Sequence, residues 1–282
     1  MPVSRSPSRD ARPPGRSARP SERDPKIPPH TRSHWPLILI GLVAVLAVII
    51  AALPASIVAR FLPPGVHAED FSGSVWHGSA GKISVMARDA GALEWRLHPA
   101  ALLGMQVSAD LHWVKVGFVV DAAVNIDRLG LAAHAVKGGG PIEDLRDFGV
   151  AAGWRGMANI NFSEVKSDWV NPLAAVGDIQ ASNLTSAQIA QGADLGGYDL
   201  RLAEGAVGTD GSVTAQLTDT GGPLDVKAVI HLSAKERTGM LTGTLKERPE
   251  APSALVSDLE GIVQLRGRDP QGRIPVDLEF TW

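Results

Sequence analysis

Leu224-Asp225-Val226-Lys227-Ala228-Val229-Ile230-His231-Leu232 decides the fold of this chain, because an apolar side chain returns at every second position. Successive side chains of a strand point to opposite faces, so period two means one face in a core and one in water. The same alternation recurs outward in both directions. Toward the N-terminus it marks Lys82–Met86, Ala92–Leu97, Gln106–Trp113, Val124–Asp127, Asn159–Phe162, Tyr198–Leu202 and Ser212–Leu217. Toward the C-terminus it marks Met240–Leu245, Ile262–Leu265 and Ile274–Phe280. These runs predict a mainly β fold, a curved antiparallel sheet with one wet face. Gly138–Pro141, Thr209–Gly211 and Gly221–Pro223 read as hairpin turns between strands.

Two short helices fit between the strands, Pro141–Phe148 and Ala251–Leu259. Each starts near a proline and stops before a glycine, Gly149 or Gly261. Both follow a run of strands, which suggests two related halves, about 66–150 and 155–282, each a strand meander covered by one helix. A long curved sheet of this kind can form an open apolar groove able to hold lipid.

Ahead of the β region, no charged residue occurs from Trp35 to Ala59, and Pro36–Leu53 is apolar throughout. A helix rises ~1.5 Å per residue, so about 20 such residues cross a ~30 Å hydrocarbon core. Residues 35–54 are therefore expected to form a single transmembrane helix, with Trp35 at the interface and Pro36 in the first turn. Leu53-Pro54-Ala55-Ser56 offers small residues to a signal peptidase. The apolar run is nonetheless long and begins late for a cleaved leader, which favours an uncleaved anchor. Ala55–Leu62 continues with helical spacing and stops at Pro63-Pro64.

Charge sets the orientation. Residues 1–34 carry seven Arg and one Lys against Asp10, Glu22 and Asp24, a net +5; with −3 for the whole chain, the rest is −8. The positive-inside rule then keeps 1–34 cytoplasmic and sends 55–282 across the membrane, into the periplasm in a bacterium. The Pro/Arg/Ser-rich tail has too few large apolar side chains to fold and is expected to be disordered. Positive charge confined to one end does not fit a nucleic-acid binder.

The chain has no cysteine, hence no disulfide and no thiolate metal site. Its eight histidines show neither H-E-x-x-H nor H-x-H spacing, and His112 and His231 fall at polar positions of alternating runs, where a solvated imidazole is ordinary. There is no G-x-S-x-G elbow, no Walker A loop and no dinucleotide fingerprint. The sequence points to no enzyme, no cofactor and no small-molecule substrate. Trp95 is in phase with Leu93 and Leu97 and is expected in the core. Trp154 and Trp169 stand in Gly-rich or loop-like surroundings; they are candidate contacts to a partner protein, with partly buried packing as the ordinary alternative.

Several motifs follow the apolar segment in order: Leu53-Pro54-Ala55, then Gly73-Ser74-Val75-Trp76-His77-Gly78-Ser79-Ala80, then Leu93-Glu94-Trp95-Arg96-Leu97-His98-Pro99 running to Leu103. Gly222-Pro223-Leu224 and Gly267–Arg273 complete the set. From 36 to 282 this order resembles protein N of the type II (general) secretion pathway of Gram-negative bacteria. The resemblance implies a non-catalytic accessory subunit in the bacterial inner membrane, acting with other inner-membrane components of that machine and with membrane lipid. The long Pro/Arg-rich tail departs from the short one expected and leaves open a cytoplasmic contact or a different start site.

Overall fold

A computed structural model describes residues 35–148, 150–233 and 235–281; the basic tail 1–34, with its expected disorder, lies outside them. The chain divides into two units between Leu46 and Ala47, and the sheet belongs to the second. Helix α1, Trp35–Ala51, has 17 residues and no polar stripe. From Ile40 onward its side chains are exposed, Leu42 to 65 % and Val48 to 67 %. Among the described residues no helix is long and apolar enough to cross a membrane. The helix ends short of the expected residue 54 because Pro54 disfavours helical backbone at Leu53. A 3-10 segment, Ala55–Phe61, follows, with Ala55 buried.

The strands are β1 Val66–Gly73, β2 His77–Val85, β3 Arg88–Leu97, β4 Val107–Lys115, β5 Phe118–Ile126, β6 Leu131–Pro141 and β7 Trp154–Ser167. Then come β8 Pro172–Ser186, β9 Ile189–Asp194, β10 Gly197–Leu202, β11 Ser212–Gly221, β12 Leu224–Ser233, β13 Thr238–Glu247 and β14 Ile274–Thr281. Among the described residues these fourteen make one antiparallel sheet in chain order; only β9 leaves the path, as a hairpin on β8, so that β8 pairs with β10. The first and last strands do not pair, and the sheet is open.

Register explains why the alternation was visible in the sequence. One row of directly opposed residues crosses from edge to edge: Phe71, Ala80, Leu93, Trp113, Val120, Gly138, Ile160, Ile179, Leu200, Leu217, Ala228, Gly243, Val276. No member is polar. The next row, on the other face, is Ser72, Ser79, Glu94, His112, Asp121, Lys137, Asn161, Asp178, Arg201, Gln216, Val229, Thr242, Asp277. Only Val229 breaks its polarity.

Two expectations are corrected and a third takes a narrower form. Gly138–Pro141 is not a turn but the end of β6: a Cβ on Gly138 would overlap β5, and one on Gly140 would come 2.5 Å from the Phe118 Cα. Side chains are excluded there by close strand approach, not by a turn. The short helix expected at Pro141–Phe148 is present as a 3-10 segment, Ile142–Phe148. The last helix, α2, runs Ser253–Arg266, through Gly261 to a C-terminal stop at Gly267, and absorbs the expected strand Ile262–Leu265. Leu255, Leu259 and Val263 recur four apart and pack on Leu184, Ala190, Leu195 and Ile274, so the helical period wins; a Cβ at Gly261 would meet nothing.

Connections alternate between two ends of the sheet. The near end holds the loops 74–76, 98–106, 127–130, 168–171, 203–211 and 234–237. The far end holds β9, the 3-10 segment Ile142–Phe148 and α2. There the Asp258 carboxylate accepts the Ala190 amide at 2.7 Å, tying α2 to β9. The Lys115 ammonium, 4 % exposed, donates at 2.5 Å to Asp147 and to the Asp89 carbonyl, tying Ile142–Phe148 to β3 and β4. Arg273 grips the Asp225 carboxylate with both terminal nitrogens, at 2.7 and 3.2 Å, and Arg268 grips Glu247 likewise.

Hydrogen bonds from these arginines hold the Asp225 and Glu247 carboxyls below the usual carboxylate range. A carboxyl depressed on folding contributes stability above its ordinary value, about pH 4, and loses it as the pH falls through the lowered value. Arg273→Gln should therefore lower the urea midpoint at pH 7 and flatten its fall between about pH 5 and pH 2. An unchanged pH slope in the variant would mean that the Asp225 pairing does not contribute.

Candidate functional site

The chain leaves its apolar segment directly into the sheet, and Gly73–Gly78 makes the joint. Gly73 takes a left-handed φ of +81°, which turns β1 sharply into the loop. The Val75 amide donates to the Leu53 carbonyl at 2.9 Å, and the Trp76 indole N–H donates to the Ile50 carbonyl at 2.9 Å. Carbonyls at a helix C-terminus lack intrahelical partners, and this loop supplies donors to Ile50 from 26 residues away and to Leu53 from 22. It is held from behind: the Trp95 indole donates to the Val75 carbonyl at 2.8 Å and the Leu97 amide to the Trp76 carbonyl at 2.8 Å. Trp95 is 9 % exposed, as its phase with Leu93 and Leu97 predicts.

Gly78 forms the floor. A Cβ there would come 2.6 Å from the Trp95 ring and 3.0 Å from the Ala55 methyl. Ala55, 1 % exposed, thus seats against a position kept free of side chain. Ala55, Ala80 and Trp95 form a core cluster, with Val58, Phe71 and Leu93 packed around it. Beside it lies a hollow of about 200 Å³ between Val58 and Leu62 and the apolar face of β1–β5, lined only by apolar side chains.

The polar face offers a shallow concavity of about 460 Å³ around Glu94, Asp110 and His112. His98 lies 3.0 Å from Asp110, His112 lies 2.7 Å from Asp121, and His231 meets Thr214 at 2.9 Å. Each is a cross-strand or neighbouring-loop pair on the wet face. Among the described residues no group of three His, Cys, Asp or Glu is placed to hold a metal ion.

The two tryptophans singled out in the sequence are not brought together. Trp154 begins β7 at the far end, half-buried against the cluster around Leu255 and Leu259. Trp169 lies in the near-end loop after β7, 57 % exposed, with φ +76°. A strand of 14 residues separates them, ~46 Å at ~3.3 Å per residue. Sequence reading missed the helix-end carbonyls and the hollow. The glycines at 73 and 78 flanking Trp76 were the available signal for the first; the second depends on register across five strands.

Trp76→Phe keeps an aromatic ring, though a smaller one, and removes the indole donor, and should cost at least about 1 kcal/mol in chemical unfolding of the detergent-solubilised chain. Gly78→Ala forces a methyl against Trp95 and Ala55 and should cost more, about 1–3 kcal/mol. A neutral Gly78→Ala would show that the joint is not held as described.

A family model for the type II secretion system (T2SS), protein N, matches residues 64–277. No curated protein and no solved structure matches the chain.

Proposed function

The chain belongs to the protein N family of the type II secretion system, and from that premise we propose that it is a non-catalytic accessory subunit in the inner membrane. Residues 35–54 anchor it, residues 1–34 stay in the cytoplasm, and the sheet works in the periplasm by contact with other inner-membrane components. The observation that carries this reading is the joint itself: an all-apolar helix, exposed from Ile40 onward, runs directly into a sheet whose first hairpin donates to the Ile50 and Leu53 carbonyls. A helix so exposed needs a cover, and lipid is the cover that such a composition suits. At ~26 Å, α1 is about 4 Å short of an average hydrocarbon core. Ala52, Leu53 and local thinning of the bilayer take up the difference at a cost of fractions of a kcal/mol per Å. The +5 tail sets the direction.

The test is genetic and topological. Deleting the gene should leave folded exoproteins in the periplasm, and the full chain should restore their release. A reporter fused after residue 282 should be active only outside the cytoplasm. Normal secretion in the deletion strain sinks the secretion role; a reporter active only in the cytoplasm sinks the orientation.

One observation favours a second reading, a bridge-like lipid-transfer or envelope-maintenance protein. The apolar row of the sheet is continuous from edge to edge, and at its N-terminal side it opens into the apolar hollow beneath Val58 and Leu62. Native mass spectrometry of the full chain released from the membrane should then show bound phospholipid, reduced when Leu111→Glu places a charge in the hollow. A chain that carries no lipid under conditions that retain it on known lipid carriers removes this reading.

A further inference from the structure

The near end of the sheet carries large apolar side chains at turn tips, where Gly, Asn, Asp and Ser are the usual residues. The β3–β4 connection exposes Leu103 to 92 % and Met105 to 74 %; the β5–β6 turn exposes Leu129 to 81 %; the β7–β8 turn exposes Trp169 to 57 % and Val170 to 82 %. These are successive connections at one end. They continue the line begun by the β1–β2 loop, which holds the carbonyls of Ile50 and Leu53. Six strand spacings separate the first of these connections from the last, ~29 Å. Beyond them, the near-end loops 203–211 and 234–237 expose no large apolar side chain among the described residues and present Glu204, Asp210, Lys235 and Arg237 instead. Along this end, apolar character falls away beyond the β7–β8 turn; the opposite end exposes single apolar side chains at its first two turns, Met86 to 82 % and Val116 to 81 %.

Two of these tips share one construction. In Asp127-Arg128-Leu129-Gly130 the Asp127 carboxylate accepts the amides of Leu129 and Gly130, at 2.7 and 3.0 Å. In Asp168-Trp169-Val170-Asn171 the Asp168 carboxylate accepts the amides of Val170 and Asn171, at 3.0 and 2.7 Å. In both, the charged group folds back onto its own backbone and the apolar side chain faces out. Each tip is thereby shaped before it meets anything.

We propose that the near end of the sheet, from the β1–β2 loop to the β7–β8 turn, rests in the headgroup layer of the bilayer as a second membrane contact in addition to the anchor. The proposal rests on the reading of residues 35–54 as a membrane anchor, which places the joint at the bilayer surface. Leu103, Met105, Leu129 and Val170 enter the interface as apolar pegs, and Trp169 takes the position that an amphipathic indole favours there. The wet loops at 203–211 and 234–237 tilt clear of it.

The chain contains no cysteine, so single-cysteine variants report one site each. The full chain is reconstituted into phosphatidylethanolamine–phosphatidylglycerol vesicles and labelled with a polarity-sensitive fluorophore at Leu103→Cys, Leu129→Cys or Val170→Cys. Val116→Cys serves as the control, since Val116 is 81 % exposed at a far-end turn, and Val43→Cys reports the helix. Lipids carrying a nitroxide near the headgroup should quench the three near-end probes and leave the Val116 probe bright. Near-end probes as open to aqueous iodide as Val116, with Val43 protected, overturn the proposal and leave the anchor standing. Near-end probes shielded from iodide but untouched by nitroxide lipid also overturn it, because protein then covers that end. A Val43 probe open to iodide sinks the anchor reading itself; in that case quenching of the near-end probes alone still supports the contact, and its loss removes it.

Discussion

The structure depends on one constraint, the two-residue period of the strand. Thirteen strands place an apolar residue or glycine in a single row from Phe71 to Val276, and a polar row beside it on the other face. A slip of one residue at any pairing exchanges the two faces for everything beyond it. Register is therefore fixed locally, strand by strand, although few helices cover the sheet. The Ala55–Phe61 segment, the Ile142–Phe148 segment and α2 add apolar cover where their own side chains reach, with the core clusters at the first hairpins and around α2.

What the sequence made legible follows from that constraint. A strand rich in Val, Leu and Ile, such as β12, announces its phase because large apolar side chains mark one face and polar ones the other. The end of β6 is hidden by Gly138–Gly140, since glycine in a strand has no face and a run of three reads as a turn. β8 is hidden by Ala, Gly and Ser, and β1 by His67, Glu69 and the left-handed Asp70. In α2, Gly261 on the solvent-facing side looks like a stop, and the spacing of Leu255, Leu259 and Val263 carries the better signal.

The joint was legible as a pattern and not as a mechanism. Gly73, Trp76 and Gly78 stood out, and so did Trp95, but a hydrogen bond from Trp76 to Ile50 spans 26 residues and leaves no trace in local spacing. The same holds for the hollow under Val58, which exists only once five strands are in register. Trp154 and Trp169 have similar surroundings in the sequence, yet one sits against a core cluster and the other at a turn tip. Surroundings in the sequence do not report which end of a strand a residue occupies.

The strand order has a kinetic consequence. Each strand except β10 pairs with the one made just before it, so a chain that emerges N-terminus first, from a ribosome or through a narrow channel, can add strands to a growing edge without waiting for distant partners. Loop-closure entropy is small at most steps, which favours rapid zippering over search. The exception lies at the end: 26 residues, including α2, separate β13 from β14, so completion waits for the helix to lie down. Until then the β13 edge is an unpaired, sticky border, and the half-assembled sheet is the species most in need of a chaperone.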